Sequence, residues 1–185
     1  MKRAGGTRVN RRGIGHGAGV NTMILILGGA RSGKSRRAEA LVLAHAAPWT
    51  YIATAQAFDA EMAARIAEHQ ARRAEDWRTV NAPRMLPEAL RAATGPILVD
   101  CLTLWLSNAM LAEADLAAET TALEAALQAR GGPVVLVSNE VGAGIVPATS
   151  LGRRFRDAQG LLNQRMAALA DHVELVVAGL PLRLK

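Results

Sequence analysis

Short apolar runs alternate with longer stretches in which apolar residues return every three or four positions, from Met23 to the end of the chain. The short runs read as strands buried on both faces, and the longer stretches as amphipathic helices. Strands are expected at residues 23–27, 49–53, 77–80, 96–100, 134–137 and 173–178, with an added edge strand at 182–184. Helices are expected at 34–46, 59–75, 86–93 and 153–170, and across 102–130 with a break near Asp115. Asp59 would cap the second of these. Strands that take turns with helices predict an α/β protein, a mostly parallel sheet with helices on both faces.

The first junction carries the clearest chemistry. Gly28-Gly29-Ala30-Arg31-Ser32-Gly33-Lys34-Ser35 follows the first strand, opens the first helix and matches G-x-x-x-x-G-K-[ST]. Glycines let successive backbone N–H groups turn toward a phosphate, and the helix adds the positive end of its dipole. Lys34 would reach the β/γ-phosphates, and the Ser35 hydroxyl would ligate Mg²⁺. The expectation is a P-loop NTPase fold that binds a nucleoside triphosphate.

Ligands of such sheets sit beyond the carboxyl ends of the strands. That rule gathers the loop 28–35, Thr54-Ala55-Gln56, Asp100 and Ser138-Asn139-Glu140 around one site. Asp100 ends an Ile-Leu-Val run, so it either holds Mg²⁺, directly or through water, or caps the next helix. Beyond Glu140, Gly142 and Gly144 form a Gly-x-Gly loop that closes at Pro147. The following helix turns Arg156, Gly160 and Asn163 to one side, a substrate wall or a solvated face; pattern alone favours the solvated face.

Of the four histidines, His69 stands out. It shares a helix face with Met62 and Ile66, and Arg65 and Arg73 flank it at four-residue spacing with Arg72 beside them. Neighbouring guanidinium groups bind polyphosphate and disfavour imidazole protonation, leaving a neutral nucleophile for phosphorus. The other reading is a histidine on a mixed-charge helix surface. His16 lies in the N-terminal extension, His45 suits a helix end, and His172 is expected in the turn before the last clear strand.

Charge excludes some partners. Residues 1–22 contain Lys2, Arg3, Arg8, Arg11 and Arg12 and no acid, so they carry +5 of the formal +6. The remainder, near neutral and with few aromatic residues to stack on bases, has no footprint for nucleic acid. The Gly-rich extension 1–22 is expected to be disordered, ahead of one nucleotide-binding domain at 23–185 whose working start is Met23. Arg11-Arg12 is followed by a core strand rather than a signal's apolar stretch. No apolar run approaches the ~20 residues of a membrane helix, and the single cysteine, Cys101, fits a reducing, cytoplasmic location. Asn-Lys-x-Asp, the guanine-reading motif of regulatory GTPases, is missing, which argues against a nucleotide switch.

Several blocks occur together and in order. They are the loop 28–35, Tyr51-Ile52-Ala53-Thr54-Ala55, Glu61-Met62 through Arg65-Ile66 to His69, and Trp77-Arg78-Thr79-Val80. Ser138-Asn139-Glu140-Val141-Gly142, continuing to Gly144-Ile145-Val146-Pro147, and Arg154 and Arg156 through Asn163-Gln164-Arg165 complete the set. Together they resemble the bifunctional adenosylcobinamide kinase/adenosylcobinamide-phosphate guanylyltransferase family of cobalamin biosynthesis across residues 23–185.

The resemblance implies a RecA-like sheet, a homotrimer and two reactions. The aminopropanol hydroxyl of adenosylcobinamide takes the γ-phosphoryl group of ATP or GTP. A histidine, matching His69, then attacks the α-phosphorus of GTP, and adenosylcobinamide phosphate accepts the GMP to give adenosylcobinamide-GDP. Nucleotide contacts would fall on Gly28 to Ser35, on Ala53, Thr54 and Ala55, on Gln70, Ala71, Arg72 and Arg73, and on Asn81 and Asp100. Asn81 stands where relatives commonly carry Glu, so it keeps an acceptor and loses a charge. A simpler P-loop kinase, with His69 a bystander, is the competing reading; it predicts a nucleoside diphosphate and no pyrophosphate.

Overall fold

The computed structural model describes residues 21–56 and 76–185. Seven strands form one sheet: β1 (Met23–Gly28), β2 (Trp49–Ala53), β3 (Trp77–Asn81), β4 (Ile97–Asp100), β5 (Val134–Asn139), β6 (His172–Val177) and β7 (Leu180–Arg183). Their order is β3-β2-β4-β5-β1-β6-β7, all parallel except the β6–β7 pair. The helices are α1 (Lys34–Val42), α2 (Leu86–Ala92), α3 (Leu102–Leu111), α4 (Leu116–Gln128) and α5 (Ser150–Leu169).

The apolar runs are unbroken because the central strands are covered on both sides. Alternate residues of each strand divide between two cores. Leu25, Leu27, Ile97, Val99, Val134 and Leu136 face Leu90 of α2, Trp105 of α3, Leu123 of α4 and Met166 of α5. Ile24, Ile26, Leu98, Val135 and Val137 face Ala38 and Val42 of α1. Helices therefore cover both faces, as the pattern predicted. Trp105 is fully buried, and its indole N–H finds the Arg84 carbonyl at 3.0 Å, so the largest core side chain leaves no polar atom unpaired.

The departures from the sequence reading have local causes. Helix α1 stops at Val42 rather than residue 46; the His45 N–H closes a turn on Val42 O at 3.0 Å, and the Trp49 indole takes His45 O at 2.9 Å. His45 thus lies beyond the helix it was expected to end. Helix α5 starts three residues earlier than residue 153, where Thr149 Oγ1 accepts the Gly152 N–H at 3.1 Å. The break near Asp115 is a helix start: its carboxylate accepts the N–H groups of Ala117 and Ala118 at 2.9 and 3.1 Å. The edge strand runs over Leu180–Arg183 instead of 182–184, paired antiparallel to β6. The extension through residue 20 and the helix expected at 59–75 lie outside the described residues.

Candidate active site

The loop after β1 is shaped for an anion. Arg31 and Gly33 adopt left-handed φ of 55° and 95°, so consecutive N–H groups point into one concavity. Gly33 opens α1 without a side-chain cap, which leaves the first N–H groups of the helix available. Lys34 Nζ donates to Gly29 O at 3.0 Å and so lies folded across the loop it would share with a phosphate. Space explains Gly28: a Cβ there would come within 2.5 Å of Ser32 Oγ and 2.8 Å of Val176 O. The β6–β7 turn braces the loop from below, with the Gly179 N–H on Ser32 O at 2.8 Å. Ser32 Oγ is buried and has no partner among the described residues.

Two strands away, Asp100 ends β4 on the α1 side of the sheet, because it alternates with Leu98. Its carboxylate accepts the Tyr51 hydroxyl at 3.0 Å. Helix α3 opens at Cys101 with no side-chain cap, so the capping role left open for Asp100 is not the one adopted. Beside it, Thr54 is wholly buried. Its hydroxyl accepts the Cys101 N–H at 2.8 Å and donates to Cys101 O at 2.7 Å. Asn108 Nδ2 donates to Thr54 O and Pro83 O, both at 2.9 Å, tying the ends of β2 and β3 to α3. Burial, and secondarily the Asp100 charge, push the Cys101 thiol up to about 12.

Strand β5 lies between β1 and β4 and ends in Ser138 and Asn139. Ser138 points away from α1 into a buried trio: its hydroxyl donates to Asn163 Oδ1 at 2.7 Å, and Gln159 Nε2 donates to both at 2.9 Å. Asn163 Nδ2 completes the link on Asn139 O at 3.0 Å. This overturns the solvated-face reading of the polar helix. Gln159 and Asn163 are buried and Arg156, paired with Asp157 at 3.0 Å, is half-buried, whereas Arg153, Arg154 and Gln164 are exposed.

The sheet thus gathers the loop Gly28 to Ser35, the β2 end at Ala53, Thr54 and Ala55, and Asp100 along one edge. Asn81 sits in register with Ala53 at the end of the outermost strand and is exposed. His69, Gln70, Ala71, Arg72 and Arg73 lie outside the described residues. Asn108, Gln159 and the Thr54–Cys101 bonds had no signal in the sequence, being contacts made across tens of residues.

Two observations bear on Mg²⁺. Asn139 Oδ1 is buried without a partner among the described residues, and alternation puts its side chain on the same face as Asp100. No group of three or more His, Cys, Asp or Glu fit to hold a metal occurs among the described residues. Mg²⁺ commonly uses one or two protein oxygens plus phosphate oxygens and waters, and Ser35 with Asp100 fit that donor set. No helix among the described residues is long and apolar enough to cross a membrane. A hollow of about 380 Å³, lined by Arg91, Thr94, Gly95 and Arg130, lies at the opposite, amino edge of the sheet and is not this site.

A phosphate-shaped loop on the carboxyl edge of a parallel sheet, facing an acid two strands away, places the chain among the P-loop NTPases. The flagellar accessory protein FlaH from Methanocaldococcus jannaschii shares this fold with a TM-score of 0.54, 13% identity and coverage of 92% of this chain and 81% of its own. Residues 24–184 match the family described as cobinamide kinase / cobinamide phosphate guanyltransferase, and the chain belongs to that family of enzymes. It is 50% identical over 166 residues to the bifunctional adenosylcobalamin biosynthesis protein CobP of Pseudomonas aeruginosa, covering 87% of this chain and 96% of that one. It is 44% identical over 181 residues to the bifunctional adenosylcobalamin biosynthesis protein CobU of Escherichia coli, covering 88% and 99%. The CobU protein of Salmonella typhimurium is 45% identical over the same length and shares.

Proposed function

We propose that the protein phosphorylates adenosylcobinamide with ATP or GTP and then transfers GMP from GTP, through a GMP-histidine intermediate on His69, to give adenosylcobinamide-GDP. The observation that carries this reading is one intact phosphate loop inside a match that spans residues 24–184 of a two-activity family. The likeness at 44–50% identity to three bifunctional relatives supports it.

Both steps use the same cradle. N–H groups of the loop and of the first turn of α1 hold the polyphosphate, and Lys34 neutralises charge that grows on it in the transition state. Ser35 and Asp100 would hold Mg²⁺, which would supply charge neutralisation on the phosphates. Positioning supplies most of the rest of the acceleration. In the second step His69, flanked by Arg65, Arg72 and Arg73, attacks the α-phosphorus and pyrophosphate leaves. Asn81 accepts a hydrogen bond from the nucleotide where relatives present a charge.

The acceptor approaches from the side of the 139–165 region, where an apolar hollow of about 270 Å³ opens between Met110, Leu111, Leu151 and Phe155. Residues 23–185 act as one nucleotide-binding domain behind the basic extension, in a cytoplasmic homotrimer; the family resemblance supports the assembly.

The test is product analysis with adenosylcobinamide as acceptor. ATP should give the phosphate ester and ADP, and added GTP should then give pyrophosphate and the GDP derivative in equal amounts. Ester formation without pyrophosphate would reduce the protein to a kinase.

A further inference from the structure

The Ser138-Asn139-Glu140-Val141-Gly142 block has a role that the two-step scheme leaves unassigned. Phosphorylation of an alcohol must remove the hydroxyl proton, and neither Lys34 nor the loop N–H groups can accept one. Along the carboxyl edge, the described residues at the ends of β1 to β5 offer two acids, Asp100 and Glu140. Asp100 is hydrogen-bonded to Tyr51 and is the carboxylate suited to the cation.

Glu140 is placed differently. Its backbone N–H donates to Gly28 O at 3.1 Å, which pins it to the entrance of the phosphate loop. Because β5 runs between β1 and β4, Glu140 stands between that loop and the Asp100 strand. The residue is exposed, so an incoming hydroxyl can reach its carboxylate. One carboxylate oxygen accepts the Gly142 N–H at 2.6 Å, which fixes the direction of the group. A Cβ on Gly142 would stand 2.9 Å from that oxygen, so the carboxylate lies close against the loop backbone.

We propose that Glu140 is the proton acceptor of the kinase step, an inference that rests on the kinase reading above. The alcohol oxygen bonds to the γ-phosphorus while its proton passes to the Glu140 carboxylate. The bond from the γ-phosphorus to the β–γ bridging oxygen breaks, and the nucleoside diphosphate leaves with that electron pair. Guanylyl transfer needs no such acceptor, because its nucleophiles are a neutral imidazole and a phosphate monoester already ionised. Glu140 therefore serves one of the two activities.

The test compares wild type with Glu140→Gln and Glu140→Asp in two assays. One is kinase turnover with adenosylcobinamide and ATP; the other is retention of label from GTP labelled at the α-phosphorus. Glu140→Gln is expected to lower kinase kcat by about a hundredfold or more, with KM for ATP within a few-fold and α-label retained at wild-type level. Glu140→Asp is expected to recover part of the kcat. Kinase turnover of Glu140→Gln within threefold of wild type would overturn the proposal, as would parallel loss of both activities in a variant that still binds nucleotide. Failure of the wild type itself to phosphorylate the alcohol would overturn the kinase reading instead.

Discussion

Thr54→Val replaces a buried hydroxyl by a methyl of nearly the same shape, so its effect isolates two hydrogen bonds. In the native protein that hydroxyl accepts the Cys101 N–H at 2.8 Å and donates to Cys101 O at 2.7 Å, with Thr54 wholly buried. After substitution the two Cys101 groups fare differently. The carbonyl keeps the Trp105 N–H of α3 at 3.2 Å, so its loss is at the low end, about 0.5–1 kcal/mol. The N–H is left without its partner in a buried setting, which costs about 1–3 kcal/mol. The sum, roughly 1.5–4 kcal/mol, is a large fraction of the ~5–15 kcal/mol that holds a domain folded. Urea unfolding followed by tryptophan fluorescence reads it as a lower midpoint at unchanged slope. Thr54→Ser, which keeps the hydroxyl, should lose no more than about half as much. Nucleotide affinity of Thr54→Ser should stay near wild type, because the hydroxyl faces Cys101 rather than a ligand. A Val variant within ~0.5 kcal/mol of wild type, or a Ser variant as unstable as Val, would refute the assignment.

Three further outcomes are expected. Gly28→Ala should abolish nucleotide binding by equilibrium dialysis, because its Cβ meets the Val176 carbonyl, while Gly29→Ala, with nothing within 4 Å of its Cβ, should fold without strain. Cys101, its thiol pushed up to about 12 mainly by burial, should resist alkylation at pH 8 in the native protein and react fully in denaturant. Hydrogen bonds from Arg165 lower the Glu124 carboxyl below its ordinary value, so its stabilisation is present above the unfolded carboxylate range and is lost as pH falls through the folded value. Glu124→Gln should therefore flatten the acid limb of a stability-against-pH curve; an unchanged limb would show the pair to contribute nothing.

The sequence exposed what is encoded locally. The P-loop lies within one strand–turn–helix, so its glycines, lysine and serine could be read directly. The apolar runs gave the strands within a residue or two, and the acid ending 96–100 marked the same edge as the loop. Helix α5 was misread because the spacing of Arg156, Gly160 and Asn163 is the same whether the face meets water or protein. Only Ser138, more than twenty residues away in the chain, decides between them. The same limit hid Thr54, whose partner lies 47 residues on, and Asn108, which joins the ends of two strands that the chain visits separately. The start of α5 was missed for a smaller reason: Thr149 was a legible cap, but the loop after Pro147 gave no periodicity to attach it to.

The central claim is that one phosphate cradle serves both γ-phosphoryl transfer and attack by His69 on the α-phosphorus. The measurement that tests it most directly uses GTP labelled separately at the α- or γ-phosphorus, incubated with the protein and Mg²⁺ and followed by denaturation. The account predicts acid-labile, alkali-stable label on wild type from the α position alone, and none on His69→Ala, which still passes γ-phosphate to adenosylcobinamide. Protein that never retains α-label yet phosphorylates the acceptor, or a His69→Ala variant labelled as well as wild type, would contradict it.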